Sequence, residues 1–447
     1  MNQRRVALTT VCAALLLAGG LTACSSSGAD GGGKELHVLV GADPAHADAV
    51  RAWQAQIKKD FKAKTGADVV FDSYASAGEE QTKIQTSIVS GTGPDVYQLG
   101  TTFTPVAYAT GGFRVLSDAD WKRIGGRDKF LPATLGMSGP DAQHDIAVPF
   151  AARPYGMVYN TEMFKAAGIA QPPTTWDEFV ADAIKLTKPS TGVYGTAVDY
   201  ADPFSSWKYI WTFALQSGGR LITDDLKQAQ LNSPQVNDAI GQYFALSTKH
   251  HAVDPAAAGW KSAQAAAAFA NGKAAMLPMV APTVIPTLDN SPVKGKYKFV
   301  SMPLVPFGAT ARPENGLAAG SIVSGDSLAI AKYSTHADLA LDYIALVTSP
   351  DEQKAYYKGF GGLPPVTAAE DQLASTDPRI AGFVAAEKAS LPTPFTGAWA
   401  DVQLGLTNAI TQTLPSLASG KYDSSAVSQL LAKANQTAQA SLDRQKH

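Results

Sequence analysis

The chain has 447 residues, of which 45% are hydrophobic and 17% charged, with 37 Lys and Arg against 39 Asp and Glu. Its formal net charge of −2 provides no basic surface for a nucleic acid and no strong field for a highly charged ligand, so neither is expected as a partner. The two cysteines are too few for a disulfide framework or a cysteine-rich zinc site.

Residues 1–23 predict an export signal. Arg4 and Arg5 make its start positive, and the apolar run 11–17 is shorter than the roughly 20 residues that span a bilayer. The small residues before Cys24, with Leu21 three positions earlier, resemble the lipobox of bacterial lipoproteins. That resemblance implies that the Cys24 thiol is acylated, as with palmitate, and becomes the first residue. The alternative is an ordinary signal with an incidental cysteine.

Residues 24–34 are rich in Ser and Gly and predict a flexible tether. Cys12 lies in the predicted signal, so the mature chain would hold one cysteine, and that one would carry lipid. We therefore expect a globular body anchored at Cys24 on the extracellular face of the cell membrane. About 410 residues follow the tether, more than one hydrophobic core usually serves, which favours two lobes.

Strands and helices alternate along the first half of the chain. The run 36–40 predicts a buried strand, and Val50, Trp53, Ile57 and Phe61 predict a helix that Gly66 ends. The same alternation continues in strands and helices at 67–72, 81–90, 94–99, 146–150, 156–160 and 192–198. This rhythm predicts an α/β fold with parallel sheet.

Helical patterns dominate the last third of the chain, at 336–348, 351–358, 398–414 and 424–442. Earlier, Thr175 and Glu178 have the spacing of a capping box, in which a hydroxyl and a carboxylate satisfy the free amides of a helix start. We therefore interpret this pair as structural rather than catalytic.

Several motifs in order resemble one family. They are "SGTGPDVYQL", "VPFAARPYGMVYNTEMFKAAGI", "PPTTWDEF", "AFANGKAAM", "AGSIVSGDSLAIAKYS", "GGLPPV" and "DPRIAGFVAAEKA". Together they are similar to the extracellular solute-binding proteins of ABC sugar importers, with maltose- and oligosaccharide-binding proteins among the relatives. The resemblance covers essentially the whole mature chain.

The resemblance implies a periplasmic-binding-protein fold, in which a hinge joins two α/β lobes and the chain crosses between them more than once. We expect the first lobe to comprise 35–148 and 307–365, and the second lobe to comprise 149–306 and 366–447. It also implies a monomer that binds a mono- or oligosaccharide between the lobes and delivers it to the permease subunits, with no cofactor.

A sugar presents hydroxyls at its edge and C–H groups on its faces, so aromatic walls with a few polar groups suit it. The segment 200–211 is dense in aromatic residues. By the resemblance, Phe204 matches a ring that stacks on sugar, and Trp207 and Trp211 share its helical face. The alternative for all three is packing in the core.

Two more residues of the second lobe are implied by the resemblance. Trp399 aligns with a tryptophan that forms a sugar platform, and Arg153 falls where relatives carry a polar ligand-binding residue. Helix packing is the alternative for Trp399. A buried unpaired Arg would be costly, so Arg153 either meets a carboxylate or faces the ligand.

Loops at the strand ends of the first lobe should face the cleft, because ligands of α/β proteins lie at the carboxyl ends of strands. These loops contain Asp43, Ser76, Thr101 and Phe103. The resemblance makes Asp43 a hydroxyl-binding acid, with a helix cap as the alternative. Phe103 replaces a charged residue of maltose binders and Thr283 replaces a stacking tryptophan, so the sugar is expected to differ from maltose.

Enzyme and metal motifs are weak. The chain has no Gly-x-Ser-x-Gly elbow and no His-Glu-x-x-His motif, and the neighbouring His250 and His251 would point apart on a helix. A glycosidase needs two placed carboxylates, and its candidates lie in helix starts or turns, at Glu79, Glu80, Asp224 and Asp225. We therefore expect a receptor without enzymatic activity. A receptor for a non-sugar solute and a lipid-anchored carbohydrate-active enzyme are the alternatives.

Overall fold

The computed structural model describes residues 34–43, 46–75, 77–203 and 205–445. The predicted export signal and Cys24 lie outside the described residues, and so do Ser76 and Phe204. The expectations for lipidation and for these two ligand contacts therefore stay predictions.

The described chain alternates strands with helices over its first half and is mainly helical after residue 336. The strands are β1 (Glu35–Gly41), β2 (Asp68–Tyr74), β3 (Val96–Gly100), β4 (Ala147–Ala152), β5 (Gly156–Asn160), β6 (Tyr194–Thr196), β7 (Ala274–Val280), β8 (Tyr297–Val300), β9 (Ser321–Ile322), β10 (Gly325–Ile330) and β11 (Ser390–Leu391). The α-helices are α1 (Ala47–Thr65), α2 (Ala77–Ser90), α3 (Thr104–Ala109), α4 (Asp118–Ile124), α5 (Pro132–Leu135), α6 (Thr161–Ala166), α7 (Trp176–Leu186), α8 (Ser206–Gln216), α9 (Pro234–Thr248), α10 (Ser262–Ala270), α11 (Ile285–Asp289), α12 (Ala337–Val347), α13 (Pro350–Phe360), α14 (Thr367–Thr376), α15 (Ile380–Lys388), α16 (Trp399–Ala418) and α17 (Ser424–Arg444).

The first lobe is built on a five-stranded sheet in the order β2-β1-β3-β10-β4. β1 pairs in parallel with β2 and β3, as the sequence predicts. The prediction of parallel sheet is wrong for β10, which runs antiparallel to both β3 and β4. β10 enters the sheet from a distant part of the chain. It is not joined to a neighbouring strand by a βαβ crossover, which would make the two strands parallel.

The second lobe is built on a four-stranded sheet in the order β6-β7-β5-β8. β6 and β7 are parallel, whereas β5 runs antiparallel to β7 and β8. Helices α8, α9, α16 and α17 pack together beside this sheet. Their shared core contains four of the largest fully buried side chains, Trp176, Trp207, Trp211 and Trp399.

The segment after residue 306, which was predicted to belong to the first lobe, packs against the second lobe up to residue 322. Phe307 stacks on Trp176 with ring centroids 5.5 Å apart, and the Leu317 amide donates to the Leu215 carbonyl at 2.9 Å. Ile322 belongs to the same core. These contacts favour a crossing close to residue 323 rather than at 306. The other lobe bounds stay predictions.

Two helix ends confirm specific sequence predictions. Gly66 ends α1 with φ of 75°, a conformation that suits glycine. At the start of α7, the Thr175 hydroxyl accepts from the Glu178 amide at 3.1 Å, and the Glu178 carboxylate accepts from the Thr175 amide at 3.1 Å. This reciprocal capping box satisfies amides that the helix leaves free.

Candidate functional site

Two adjoining cavities lie where the lobes meet. The larger has a volume of about 900 Å³ and is lined mainly by the second lobe, and the smaller has a volume of about 250 Å³ and lies against the first lobe. Asp43 and Arg153 line both cavities. A solute in this space would therefore touch both lobes.

Strand ends of the first sheet form the polar part of the smaller cavity. Gly41 ends β1, Tyr74 ends β2, and Gln98 of β3 lies beside Asp326 of β10. The Gln98 side-chain amide donates to the Asp326 carboxylate at 2.8 Å. The carboxyl ends of parallel strands meet at one edge of a sheet, which is why these groups converge.

Aromatic rings form the other wall of the smaller cavity. Trp53 of α1 meets Tyr356 of α13 edge to face, with ring centroids 5.5 Å apart. Tyr356 also contacts Phe150 at 4.8 Å and Phe360 at 4.5 Å between centroids. We call Trp53, Phe150, Tyr356 and Phe360 the open aromatic cluster, because all four line the cavity, with Trp53 half-buried and the other three rings buried.

Arg153 and Asp326 form an ion pair between the two cavities. The guanidinium donates two hydrogen bonds to the carboxylate, at 2.9 and 2.5 Å, and the Asp326 side chain is only 8% exposed. Burial opposes the charge of Arg153, but the neighbouring Asp326 carboxylate outweighs it, so the pKa of Arg153 lies above its ordinary value. Arg153 was predicted either to pair with a carboxylate or to face the ligand. The structure pairs it with Asp326, and its side chain also lines the cleft.

A buried carboxyl lies behind the smaller cavity. Burial raises the pKa of Glu80 to about 8, against the lowering effect of a hydrogen bond from the Gly100 backbone. The Asp326 charge adds to the increase, whereas a hydrogen bond with Tyr74 opposes it. Glu80 is therefore largely protonated at neutral pH.

The larger cavity contains a second polar group, centred on Ser262. The Ser262 hydroxyl lies 2.8 Å from an Asp199 oxygen and 2.7 Å from an Asp202 oxygen. Burial raises the pKa of Asp199, and the Ser262 hydrogen bond opposes the increase. Asp202 also accepts from the Ser205 amide at 3.0 Å, which ties this acid to the start of α8.

Lys208 and Tyr155 lie on the same cavity wall. The Lys208 ammonium donates to the Tyr155 hydroxyl at 2.6 Å and lies 4.0 Å from the centroid of its ring. Burial raises the pKa of Tyr155, but the Lys208 charge and its hydrogen bond, together with Ser324 and Arg153, outweigh it and bring the pKa below its ordinary value. The rest of the wall is mostly apolar and includes Leu277, Met279, Val280, Val284 and Pro286.

Gly361, which ends α13, lies close to the backbone of residues 282–283. A Cβ at this position would lie 2.9 Å from the Pro282 carbonyl oxygen and 2.9 Å from the Thr283 Cα, and its φ is 72°. Such a distance is too short for a real Cβ, so only glycine fits. Thr283 itself lines the larger cavity.

The structure brings two of the predicted site residues, Asp43 and Arg153, to the cavities. Asp43 accepts from the His46 amide at 3.2 Å and lies 2.8 Å from the His46 ring nitrogen, so it also binds the residue just before α1. Thr101 is buried, and its hydroxyl donates to the Val323 carbonyl at 3.2 Å. Phe103 is half-buried against the core of the first lobe.

The three described tryptophans of the prediction lie in the core instead. Trp207 and Trp211 are 1% exposed and Trp399 is 0% exposed, and the Trp207 and Trp399 rings meet edge to face at 5.7 Å. All residues of α8 are buried, and neither Trp207 nor Trp211 lines either cavity. We therefore correct the expectation that these rings line the cleft, and core packing is the better interpretation.

Sequence reasoning missed the open aromatic cluster and the polar groups around Lys208 and Ser262. Trp53 fitted the apolar stripe of a helix, and Tyr356 lay in a helical segment without a motif. The "YADPFSSWKYIW" segment did carry a usable signal, because Lys208 is a cation within an apolar helix start.

Aromatic faces, carboxylates, an amide and hydroxyls thus surround a cleft of two joined cavities. This chemistry suits a polyhydroxylated solute that presents both C–H faces and hydroxyl edges. In the part of the chain that the structure describes, there is no group of three or more His, Cys, Asp or Glu side chains suited to a metal ion. Nor does any described helix have the length and apolarity needed to cross a bilayer.

Comparison with known proteins shows which family the chain belongs to. The chain is 28% identical over 393 residues to the diacetylchitobiose binding protein DasA of Streptomyces coelicolor, covering 85% of this chain and 84% of that protein. Two solved structures share the fold at 20% identity. They are an ABC transporter solute binding protein of Thermotoga lettingae bound with α-D-tagatose (TM-score 0.75, 92% of this chain and 100% of that one) and maltose-bound MalE3 of T. maritima (TM-score 0.74, 90% and 98%).

The sequence pattern of one family matches residues 43–354, which include β3, the crossing at β4 and β5, and most of the residues that line the cleft. The two-lobed α/β fold predicted from the sequence is the fold of the structural neighbours. The chain therefore belongs to the family of bacterial extracellular solute-binding proteins.

Proposed function

We propose that this protein is the lipid-anchored receptor of an ABC importer that binds a neutral sugar, an oligosaccharide in particular, between two closing lobes. The two joined cavities carry this proposal, because they place the open aromatic cluster, Asp43 and Gln98 around one space. The named ligands of the relatives support it, since diacetylchitobiose, tagatose and maltose are sugars. The receptor acts as a monomer and breaks no bond in the solute.

Closure would be driven by the solute, because a ligand that touches both lobes stabilises the form in which they meet. The closed form would then pass the sugar to the permease subunits. An anchor at Cys24 would keep the receptor beside its permease, and the Ser/Gly tether would leave the lobes free to move.

Thermal melting against a panel of mono- and oligosaccharides tests the binding role. A true ligand at 100 times its dissociation constant adds about 2.7 kcal/mol to the free energy of unfolding, so the melting temperature should rise. If no sugar raises the melting temperature but a solute of another class does, the protein is a receptor for that solute and not for a sugar. Chromatography of the recovered sugar separates a receptor from an enzyme, since only an enzyme would leave cleaved product.

The anchor has its own test in cells that express the full chain. The wild-type protein should incorporate labelled palmitate and stay with the membrane fraction, whereas Cys24→Ser should release it to the medium. Equal membrane retention of both forms would contradict lipidation at Cys24, whatever the binding experiment shows.

A further inference from the structure

Lys208 is unusual for a residue of a helix start. It lies in the first turn of α8, where the partial positive charge of the helix disfavours a cation. It is also buried, with 6% of the residue exposed, although lysine is almost never buried without a partner. Local rules are broken mainly at functional sites, so the position calls for an explanation.

The polar contacts of Lys208 are incomplete. Its ammonium carries three N–H donors, and the structure gives one side-chain hydrogen bond, to the Tyr155 hydroxyl at 2.6 Å, together with the contact to the Tyr155 ring. Within the described residues, no carboxylate lies within ion-pair distance of the ammonium. Because Lys208 lines the larger cavity, its remaining donors are available to a solute.

The nearby acids bind Ser262 rather than Lys208, although the Lys208 charge opposes the increase in the pKa of Asp199. Asp199 and Asp202 both contact the Ser262 hydroxyl, and Asp202 also accepts from the Ser262 amide at 3.1 Å. On the other side of Tyr155, Arg153 is held by Asp326. Lys208 is thus the cation of the cleft lining that has no carboxylate of its own in the described structure.

We propose that Lys208 is a specificity-determining residue, and that it binds a carbonyl-type oxygen of the solute. Two sugar groups supply such an oxygen, the acetamido carbonyl of an amino sugar and the carboxylate of a uronic acid. Either is a better acceptor for a buried ammonium than a hydroxyl, because its oxygen carries more negative charge and has no proton of its own to place. This inference rests on the proposed function and narrows the sugar class.

Three disaccharides with a β-1,4 linkage between glucose-type rings test it by calorimetry. Diacetylchitobiose carries acetamido groups, cellobiuronic acid carries a carboxylate, and cellobiose carries hydroxyls alone. The wild-type protein should bind at least one of the first two about 10-fold or more tighter than cellobiose. The better of the two identifies the source of the carbonyl-type oxygen.

Lys208→Met is the decisive variant. It should weaken binding of the preferred disaccharide about 10- to 100-fold and change the affinity for cellobiose much less, because the bond to the carbonyl-type oxygen is lost. Lys208→Gln keeps an N–H donor without the charge, so its affinity for the preferred disaccharide should lie between those of the wild type and Lys208→Met. Lys298→Met removes the same charge from an exposed position of β8 and should change nothing.

Three results would overturn the inference: equal wild-type affinity for all three disaccharides, an equal loss for all of them in Lys208→Met, or no loss at all. A buried ammonium without a carboxylate partner carries a desolvation cost that methionine removes, so the variant should fold, and its melting curve without sugar verifies this. If no β-1,4 disaccharide binds but another hydroxyl-only sugar does, this inference fails and the proposed function stands. If no sugar binds, both fail.

Discussion

Two aromatic clusters of this protein differ in whether they line the cleft. Trp207 and Trp399, the enclosed pair, are surrounded on all sides by the second lobe. The open aromatic cluster around Trp53 and Tyr356 lines a cavity of the first lobe. Both clusters contain tryptophan and both contain an edge-to-face ring pair. The difference teaches that aromatic density identifies a packed region, whereas access from the cleft decides whether a ring can meet a solute.

The largest effect should come from the enclosed pair. Trp399→Ala should reduce the free energy of unfolding by about 3–5 kcal/mol, because it removes a fully buried ring and leaves a cavity. Urea denaturation measures this loss. Leu404→Ala, on an exposed position of the same helix, should change stability by less than about 0.5 kcal/mol. Normal stability with lost sugar binding in Trp399→Ala would restore the ligand role that the resemblance implies.

The next effect concerns the ion pair that joins the open cluster to the larger cavity. Asp326→Asn should cost about 2–4 kcal/mol of stability, because it leaves Arg153 without its carboxylate in a mostly buried position. The double variant Arg153→Met with Asp326→Leu should recover most of that loss, since neither charge then remains. A double variant as unstable as the single one would mean that packing, not charge, sets the cost.

A pH effect should follow from the buried carboxyl of Glu80, which lies beside Tyr74. The pKa of Glu80 is about 8 in the folded protein against an ordinary value of 4.5, so its contribution to stability is complete below about 4.5 and is lost as pH rises through about 8. We expect the free energy of unfolding to fall by about 1–3 kcal/mol between pH 6 and 9. Urea midpoints across this range measure the change.

Glu80→Gln should reduce that slope, and Glu314→Gln, at an exposed position, should leave it unchanged. Part of the slope should persist in Glu80→Gln, because burial also raises the pKa of Glu387, with the neighbouring Glu370 adding to the increase. An identical slope in Glu80→Gln and the wild type would contradict the assignment to Glu80.

The smallest stability effect should come from the open cluster itself. Trp53→Ala should cost about 1–2 kcal/mol, less than Trp399→Ala, because the ring is only partly buried. It should weaken sugar binding about 10-fold, while Trp53→Phe should retain most of the affinity by keeping an aromatic face. Calorimetry with the sugar found by thermal melting gives the affinities. Unchanged binding in Trp53→Ala would remove the open cluster from the site.

The fold could be predicted because hydrophobic periods report burial along the chain. The strand at 36–40, the helix ended by Gly66 and the capping box of α7 are all local patterns with local causes. The antiparallel entry of β10 could not be predicted that way, since it depends on how a distant segment returns to the first sheet.

The site was less predictable for the same reason. Asp43 follows a strand and Arg153 lies beside a recognisable motif, so both were found from the sequence. Trp53 and Trp207 each occupy an apolar position of a helix, and nothing local separates them. Only the assembled lobes place Trp53 at a cavity and surround Trp207 with other helices.

Gly361 has a practical consequence for studying transport. Its backbone touches Pro282 and Thr283 so closely that a single methyl group would act as a wedge. A receptor wedged in this way should still hold sugar on one side of its cleft but fail to complete the shape that a transporter engages. Such a variant would allow the rate of sugar binding and the rate of sugar transfer to the transporter to be measured separately.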